Sequence, residues 1–167
     1  MDEVSRIAER VLMLEDGVVV ARGRTDEVLS RFGLEAGRNP YEQSSLLSGT
    51  INLDKTEDDL LAVSVGADAI WLASDNDIAN GAQVRLKIPA RDVSIALERP
   101  TGISIQNMLA AQVVSIEPTK RPAFQTVILD VSGQTLAATV TRKAVSDLNL
   151  APGLAVYALI KSATFHA

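Results

Sequence analysis

Six side chains in the second half of the sequence have the chemistry that anion binding requires. They are Ser104, Gln106, Asn107, Thr141, Lys161 and Ser162. Lys161 supplies a positive charge near the end of the apolar run "GLAVYALIKSATF", and the other five supply neutral hydrogen-bond donors. Each charge-assisted hydrogen bond contributes about 1.5–3 kcal/mol, so a handful of them can hold a small dianion without a large basic surface.

The segment "TGISIQNML" offers backbone donors that can join these side chains. A turn around Gly102 can aim successive N–H groups into one concavity, which is the nest geometry that binds anions. The same residue types also occur in ordinary turns, and a lysine at a strand end commonly extends into water. The residues alone therefore leave two interpretations open, an anion site and a plain β module.

Short strands predicted from Ser45 onward must position these side chains. The runs are "LLAVSV", "AIWLA", "VRLKI", "VSIAL", "AAQVVSIE", "TVILDV", "TLAATVT" and "AVYALIK", separated by Gly, Asp, Asn or Pro. Regularly spaced short strands are typical of a small barrel or sandwich. One helical turn is expected in "RKAVSDLNL", ending before Pro152-Gly153.

The first part of the chain has a different pattern. Residues on one predicted helix face are Val4, Ile7, Ala8 and Val11. A hairpin with its turn at Asp16-Gly17 should follow, and then a short helix "TDEVLSRF" with Thr25 as its N-cap. The segment "GLEAGRNPYEQ" has the composition of a linker, so a boundary is expected near Gly37. These signals predict a small αββα unit over residues 1–36 and a β domain over residues 37–167.

The β domain contains an internal repeat. "NGAQVRLKIPARDV" resembles "PGLAVYALIKSATF", "SSLLSGTI" resembles "QNMLAAQV", and "VSVGADAIWLA" resembles "LDVSGQTLAATV". Two related β units are therefore expected, at about residues 45–98 and 101–167. The first unit has Pro89-Ala90 where the second has Lys161-Ser162, so one unit has the cation and hydroxyl and the other has neither.

Composition excludes several classes of function. The net charge is −5 and aromatic residues make up 4% of the chain, which disfavours a nucleic-acid binder such as an OB-like oligonucleotide-binding module. There is no cysteine, the only histidine is His166, and the phosphate-loop pattern G-x-x-x-x-G-K-[ST] is missing. No carboxylate pair has catalytic spacing, and Arg91, Asp92 and Arg121 are interpreted as ordinary surface residues.

Two stretches together resemble known families. "MDEVSRIAERVLMLEDGVVVARGRTDEVL" resembles the end of an ABC-transporter nucleotide-binding domain, and the region from "TGISIQNMLAAQVVSIE" to "AVYALIKSATF" resembles the molybdate- and tungstate-binding MOP fold of the TOBE superfamily. The joining segment is similar to that of ATP-binding subunits of molybdate importers. The resemblance implies a mainly β fold, with an OB-like TOBE/MOP barrel of two related β units, preceded by a small αββα remnant of an ABC ATPase domain.

The resemblance also implies ligands and partners. Molybdate or tungstate would be the ligand, and no cofactor would bind this fragment, since ATP and Mg²⁺ belong to the ATPase domain of a full-length parent. The fragment would not be an enzyme, because the family's catalytic motifs would precede Met1. Its partners would be a second copy and, through the missing ATPase domain, a transmembrane permease, with no nucleic acid and no direct membrane insertion. The location would be cytoplasmic, at the inner face of the cell membrane.

The family's binding residues can be transferred to this sequence one by one. Its S-x-R-N turn falls on Ser104 to Asn107, its threonine on Thr141, and its final K-S/A pair on Lys161 and Ser162. Gln106 replaces the turn's arginine, and Ala144 stands where a hydroxyl is often found. Glutamine cannot reproduce the bidentate fork of arginine. Two hypotheses follow, a regulatory oxyanion site at a dimer interface and a dimerisation module whose site has decayed.

Overall fold

The structure is a computed structural model that describes residues 8–15, 17–32, 43–73 and 78–166. Its helices are α1 (Thr25–Phe32) and α2 (Arg142–Asp147), with 3₁₀ turns at Leu53–Lys55 and Ala90–Asp92. The strands are β1 (Arg10–Glu15), β2 (Val18–Arg24), β3 (Ser44–Ile51), β4 (Leu60–Val65), β5 (Asp68–Ala73), β6 (Gln83–Pro89), β7 (Val93–Ala96), β8 (Asn107–Pro118), β9 (Phe124–Val131), β10 (Gln134–Thr141), β11 (Ala155–Ile160) and β12 (Thr164–His166). The described part is therefore mainly β, as predicted.

Strands β1 and β2 form the predicted antiparallel hairpin, and α1 follows β2 directly. Helix α1 begins at Thr25, whose hydroxyl donates a 2.6 Å hydrogen bond to the carbonyl oxygen of Ala8 and fastens the helix start to the entry of the hairpin. Val11 lies in β1, so the predicted N-terminal helix does not reach it, and residues 1–7 lie outside the described part. Pairing with β2 gives this short apolar segment a partner that a lone helix turn would lack.

Ten strands form two five-stranded antiparallel sheets with equivalent strand orders. One sheet has the order β10-β9-β8-β11-β7 and the other β5-β4-β3-β6-β12. The repeat makes β3 to β6 equivalent to β8 to β11, and β7 equivalent to β12. The final strand of each unit pairs with the other unit's sheet, since β7 pairs with β11 and β12 pairs with β6. The two units thus exchange their last strands, which confirms the predicted repeat and makes the barrel one body.

Polar side chains link the units in equivalent pairs. The Asn107 amide accepts from the Trp71 N–H at 2.8 Å and donates to the Trp71 carbonyl at 3.1 Å. In the other unit, Ser45 lies at the position of Asn107, and its hydroxyl accepts from the Ala137 N–H at 2.8 Å. Both side chains satisfy backbone groups of a strand from the opposite unit, which stabilises the barrel because buried unpaired amides are costly.

A second set of equivalent contacts lies at the hairpin turns. The Ala110 N–H donates to the Asp68 carboxylate at 2.8 Å, and the Ser48 N–H donates to the Gln134 side chain at 2.7 Å. Gly66 and Ser132 hold the same place in the two turns and approach so closely that a Cβ on Gly66 would lie 2.0 Å from the Ser132 Oγ. The two turns therefore meet face to face at the centre of the internal repeat.

One hydrophobic core fills the space between the sheets. Along β6 every second side chain is buried, with Val84, Leu86 and Ile88 pointing inward, as expected for a half-buried strand. The largest fully buried side chains come from both units and include Leu47, Ile70, Leu86, Leu109, Leu129, Leu136 and Ile160. The barrel thus has a continuous core that positions the strand ends where the candidate site lies.

Candidate functional site

The pairing of β11 with β8 brings two of the predicted segments together. Ile160, the last residue of β11, lies opposite Asn107, the first residue of β8. The "SIQ" segment enters β8 at this point, and Lys161-Ser162 leaves β11 beside it. The sheet therefore brings the turn and the Lys-Ser pair to one edge of the barrel, although the two segments are more than 50 positions apart in the sequence.

The turn before β8 has donors available. In the described part of the chain, none of the backbone N–H groups from residue 101 to 106 donates to another backbone group. Gly102 has φ +70°, a conformation that favours glycine and reverses the direction of neighbouring amides. Ser104 and Gln106 are both exposed, so their side chains also face solvent. The positive φ of Gly102 and the donors without backbone acceptors among the described residues are compatible with the predicted nest, which stays a prediction.

Lys161 and Ser162 are both exposed at the end of β11. The Lys161 ammonium forms no ion pair with the described residues, so its charge is available to a ligand. The Lys161 N–H donates to the backbone carbonyl of Asp92 at 2.9 Å, and the Ser162 hydroxyl donates to the Asp92 carboxylate. Asp92, whose side chain is 24% exposed, thus holds the Lys-Ser pair through two hydrogen bonds.

The equivalent position in the first unit is closed. The Ala90 N–H donates to the Gln43 carbonyl at 2.8 Å, and the Ala90 side chain is buried. Pro89, in the place of Lys161, has no N–H to offer. The Ser162 N–H, which is equivalent to that of Ala90, has no backbone acceptor among the described residues. The backbone N–H at this position is therefore hydrogen-bonded in the first unit, at Ala90, and available to a ligand in the second unit, at Ser162.

Unlike the exposed side chains of Ser104 and Gln106, the Asn107 side chain is nearly buried. Asn107 is 9% exposed, and its amide oxygen and nitrogen are both bonded to the Trp71 backbone. Its carboxamide positions β5 against β8 at the base of the turn. This structural role was missed by sequence reasoning, although the equivalence of Asn107 with Ser45 in the repeat could have indicated it.

Thr141 lies apart from the other predicted residues along the sheet. It pairs with Phe124 on β9, and Gln125 pairs with Pro118, at the opposite end of β8 from Asn107. The Thr141 hydroxyl caps α2 by accepting from the Ala144 N–H at 3.1 Å. Its own proton remains available, because a hydroxyl that accepts one hydrogen bond can still donate another.

Thr141 lines an open groove of about 300 Å³ between β7 and β10. The other lining residues are Arg91, Val93, Ser94, Ile95, Phe124, Thr139, Val140, Ala144, Leu148 and Leu150. Arg91 is the neighbour of Asp92, so the groove begins next to the residue that holds Lys161 and Ser162. Asp92 was interpreted from the sequence as a surface residue, because the strand exchange that brings it to Lys161 has no local sequence signal.

A polar cavity of about 260 Å³ lies between the hairpin unit and the barrel. Its charged lining residues are balanced in sign, with Glu9 and Asp26 opposing Arg24 and Arg85. The hydrogen bond from Arg24 to Asp26 raises the pKa of the Arg24 guanidinium, so this cation is already paired. The cavity therefore offers an anion less net attraction than the exposed ammonium of Lys161.

Neither a metal cluster nor a membrane helix is found in the part of the chain that the structure describes. No group of three or more His, Cys, Asp or Glu side chains there could hold a metal ion. No helix among the described ranges is long and apolar enough to cross a membrane.

The barrel with its exchanged strands and the donor-rich edge define a class. Residues 103–167 match the TOBE domain family, so the chain contains a TOBE domain. The crystal structure of the cytoplasmic molybdate-binding protein ModG with molybdate bound has the same fold, with a TM-score of 0.62 at 22% sequence identity, covering 74% of this chain and 95% of that one. The OB-like TOBE fold expected from the sequence is thereby confirmed.

The particular relatives are molybdenum import ATP-binding proteins. The chain is 37% identical over 99% of its length to the molybdenum import ATP-binding protein ModC of Photorhabdus laumondii, and 35% identical over 96% to ModC of Albidiferax ferrireducens. It spans 46% and 43% of those proteins, respectively. The chain is a homologue of ModC and corresponds to its C-terminal part.

Proposed function

We propose that this chain is a regulatory domain that binds molybdate or tungstate for a molybdenum importer. The relatives named for molybdenum import and the TOBE match support molybdate as the ligand. The observation that carries the proposal is the pairing of Ile160 with Asn107, because it puts turn amides beside Lys161, and among the described residues these amides have no backbone acceptor and the lysine has no ion pair. The predicted ligand set is Ser104, Gln106, Asn107, Thr141, Lys161 and Ser162, with Asn107 contributing chiefly by positioning the turn.

The chemistry of the donors favours a fully ionised anion. Molybdate presents only acceptor oxygens near neutral pH, whereas phosphate carries a proton that needs an acceptor. Free N–H groups and an ammonium satisfy the first, whereas the proton of the second would need the Asp92 carboxylate, which already accepts from the Ser162 hydroxyl. Sulfate has the same charge as molybdate and is smaller, so the size of the cavity must discriminate between these two.

A second copy of the chain would complete the site. Thr141 lies at the opposite end of β8 from Asn107 and lines the groove between β7 and β10, and it makes no hydrogen bond to the other predicted donors among the described residues. A homodimer can supply Thr141 from one protomer and the Lys-Ser pair from the other. Bound anion then regulates transport if it has different affinities for two arrangements of the dimer.

The activity and partners of the whole transporter belong to this proposal. In this proposal ATP hydrolysis with Mg²⁺ takes place in an ATPase domain to which residues 1–36 belong, and the barrel is a separate domain over residues 37–167. The ATPase domain contacts a transmembrane permease, and the chain is located in the cytoplasm at the inner face of the membrane. Nucleic acid and direct membrane insertion have no part in this function.

A structural dimerisation module is the second candidate. Gln106 replaces the arginine of the family's turn, and the Ser162 hydroxyl is bonded to Asp92 rather than free. Both observations favour a decayed site that contributes only contacts between protomers. This candidate predicts a dimer whose stability is indifferent to molybdate.

Calorimetric titration with molybdate, tungstate, sulfate and phosphate at constant ionic strength separates the two candidates. The regulatory domain should bind molybdate and tungstate, with phosphate binding at least about tenfold weaker. Lys161→Ala should abolish binding and leave the dimer intact, whereas Lys120→Ala on an exposed loop should leave binding unchanged. Absence of heat and of any rise in melting temperature at millimolar molybdate would support the structural module instead.

A further inference from the structure

Asp92 is an acidic residue in direct contact with the proposed anion site, and it comes from the opposite unit. Strand exchange brings the 3₁₀ turn Ala90–Asp92 against the end of β11. There the Asp92 carboxylate accepts the Ser162 hydroxyl proton, and its backbone carbonyl accepts the Lys161 N–H at 2.9 Å. Asp92 therefore holds the same two residues that are proposed to bind the oxyanion.

The Ser162 hydroxyl can serve only one acceptor at a time. A serine has a single O–H donor, and a carboxylate is a stronger acceptor than a neutral oxygen. An oxyanion that takes this proton must first displace the Asp92 carboxylate. The Ser162 N–H and the Lys161 ammonium have no such competitor among the described residues, so the competition is confined to the hydroxyl.

The negative charge of Asp92 also lowers the affinity of the site for an oxyanion. Its carboxylate is repelled by a dianion bound at Lys161, and this repulsion is only partly offset by Arg91, whose Nε lies 3.8 Å from the other carboxylate oxygen. The Arg91 side chain is 54% exposed, so solvent screens its contribution. Removing the charge of Asp92 thus relieves both a competition and a repulsion.

We propose that Asp92 competes with the bound oxyanion for the hydroxyl group of Ser162 and thereby sets a low affinity at this site. This inference rests on the proposed oxyanion-binding function. Its consequence for regulation is direct, because a site whose affinity is lowered by its own carboxylate fills only when the anion is abundant. Asp92 is a positioning and affinity-setting residue that acts through Ser162.

Asp92→Asn tests this proposal with sodium molybdate as the probe. The amide removes the charge and keeps an acceptor for the loop, so the affinity should rise at least about tenfold, which corresponds to about 1.4 kcal/mol. Asp54→Asn, the same charge change on the exposed 3₁₀ turn Leu53–Lys55, should leave the affinity within about twofold. Thermal unfolding of each variant checks that the barrel is folded.

Ser162→Ala isolates the competition from the charge. In the unmodified chain, this change should weaken binding only about twofold, since Asp92 competes with the anion for the hydroxyl. In the Asp92→Asn background, where a neutral amide oxygen competes more weakly for the hydroxyl than the carboxylate does, it should weaken binding about fivefold or more. Equal gains from Asp92→Asn with and without the Ser162 hydroxyl would overturn the competition.

The remaining outcomes separate this inference from the function on which it rests. Binding by the unmodified chain with no gain in Asp92→Asn, or with a loss, overturns the inference and leaves the function in place. Failure of both the unmodified chain and Asp92→Asn to bind millimolar molybdate overturns the function itself. Binding by Asp92→Asn alone supports both, since it shows that the carboxylate suppresses a competent site.

Discussion

The side-chain amide of Asn107 bonds to both the N–H and the carbonyl of Trp71, at 2.8 and 3.1 Å. The contact joins β8 of the second unit to β5 of the first, directly beneath the turn that supplies the proposed donors. Ser45 makes the equivalent contact with Ala137 through a single hydrogen bond. The hydrogen bonds that position the proposed site therefore also stabilise the barrel.

Asn107→Ala should destabilise the barrel more than Ser45→Ala. The first change leaves two backbone groups of Trp71 unsatisfied and should cost about 2–4 kcal/mol, whereas the second leaves one and should cost about 1–2 kcal/mol. Urea unfolding with unchanged m-values would measure both. A smaller loss for Asn107→Ala than for Ser45→Ala would show that the amide contributes less than its geometry indicates.

Gly66→Ala should destabilise the meeting point of the two units. The new Cβ would lie 2.0 Å from the Ser132 Oγ and 2.7 Å from its Cβ, at a residue with φ +61°. We expect a loss of about 2–3 kcal/mol, of which about 1 kcal/mol returns when Ser132→Gly is added.

Gly133→Ala is the matched control for this contact. Gly133 has φ +79° and open space around its Cβ position, so it reports backbone strain alone, about 1 kcal/mol. Equal losses for Gly66→Ala and Gly133→Ala in thermal unfolding would mean that the two turns do not touch in solution.

Thr141→Ala should lower both the stability of the chain and its affinity for molybdate. Loss of the N-cap of α2 costs about 1 kcal/mol, and loss of the hydroxyl proton removes one proposed donor. Thr141→Ser retains both groups and should behave like the unmodified chain. If Thr141→Ala melted earlier but bound molybdate normally, Thr141 would be a capping residue only.

The exposed hairpin should promote self-association. Leu12 and Leu14 are 57% and 61% exposed on β1, with Val19 beside Leu14 on β2. Such an apolar patch favours association, so Leu12→Lys with Leu14→Lys should reduce concentration-dependent species larger than a dimer in sedimentation velocity. Leu53→Lys, at an exposed apolar residue on the barrel, serves as the control. No such species in the unmodified chain would contradict the prediction.

Local patterns were sufficient to predict the strands but not their arrangement. "LLAVSV" coincides with β4, and "RKAVSDLNL" contains α2, because a short apolar run bounded by turn residues and a threonine cap are both local features of the sequence. The helix expected to include Val11 was wrong at that residue, where pairing with β2 prevails. Local sequence indicates a segment's own preferences, and tertiary partners can override them.

The candidate site was likewise predictable only where its features are local in the sequence. Lys161 and Ser162 could be identified because the repeat provides Pro89-Ala90 for comparison. The turn at Gly102 could be predicted because glycine readily adopts a positive φ. The contact of Ser162 with Asp92 could not be predicted, because it depends on the exchange of final strands between the two units. The assignment of the six ligand residues and the boundary near residue 37 remain predictions.

Amide NMR during titration with molybdate tests the central claim most directly. The free N–H groups between residues 101 and 106 and the N–H of Ser162 should shift as the anion binds, because they have no backbone acceptor in the described chain. The Ala90 N–H, already bonded to Gln43, should stay in place as an internal control. Shifts confined to other parts of the barrel, or equal shifts at Ala90 and Ser162, would contradict the proposed site.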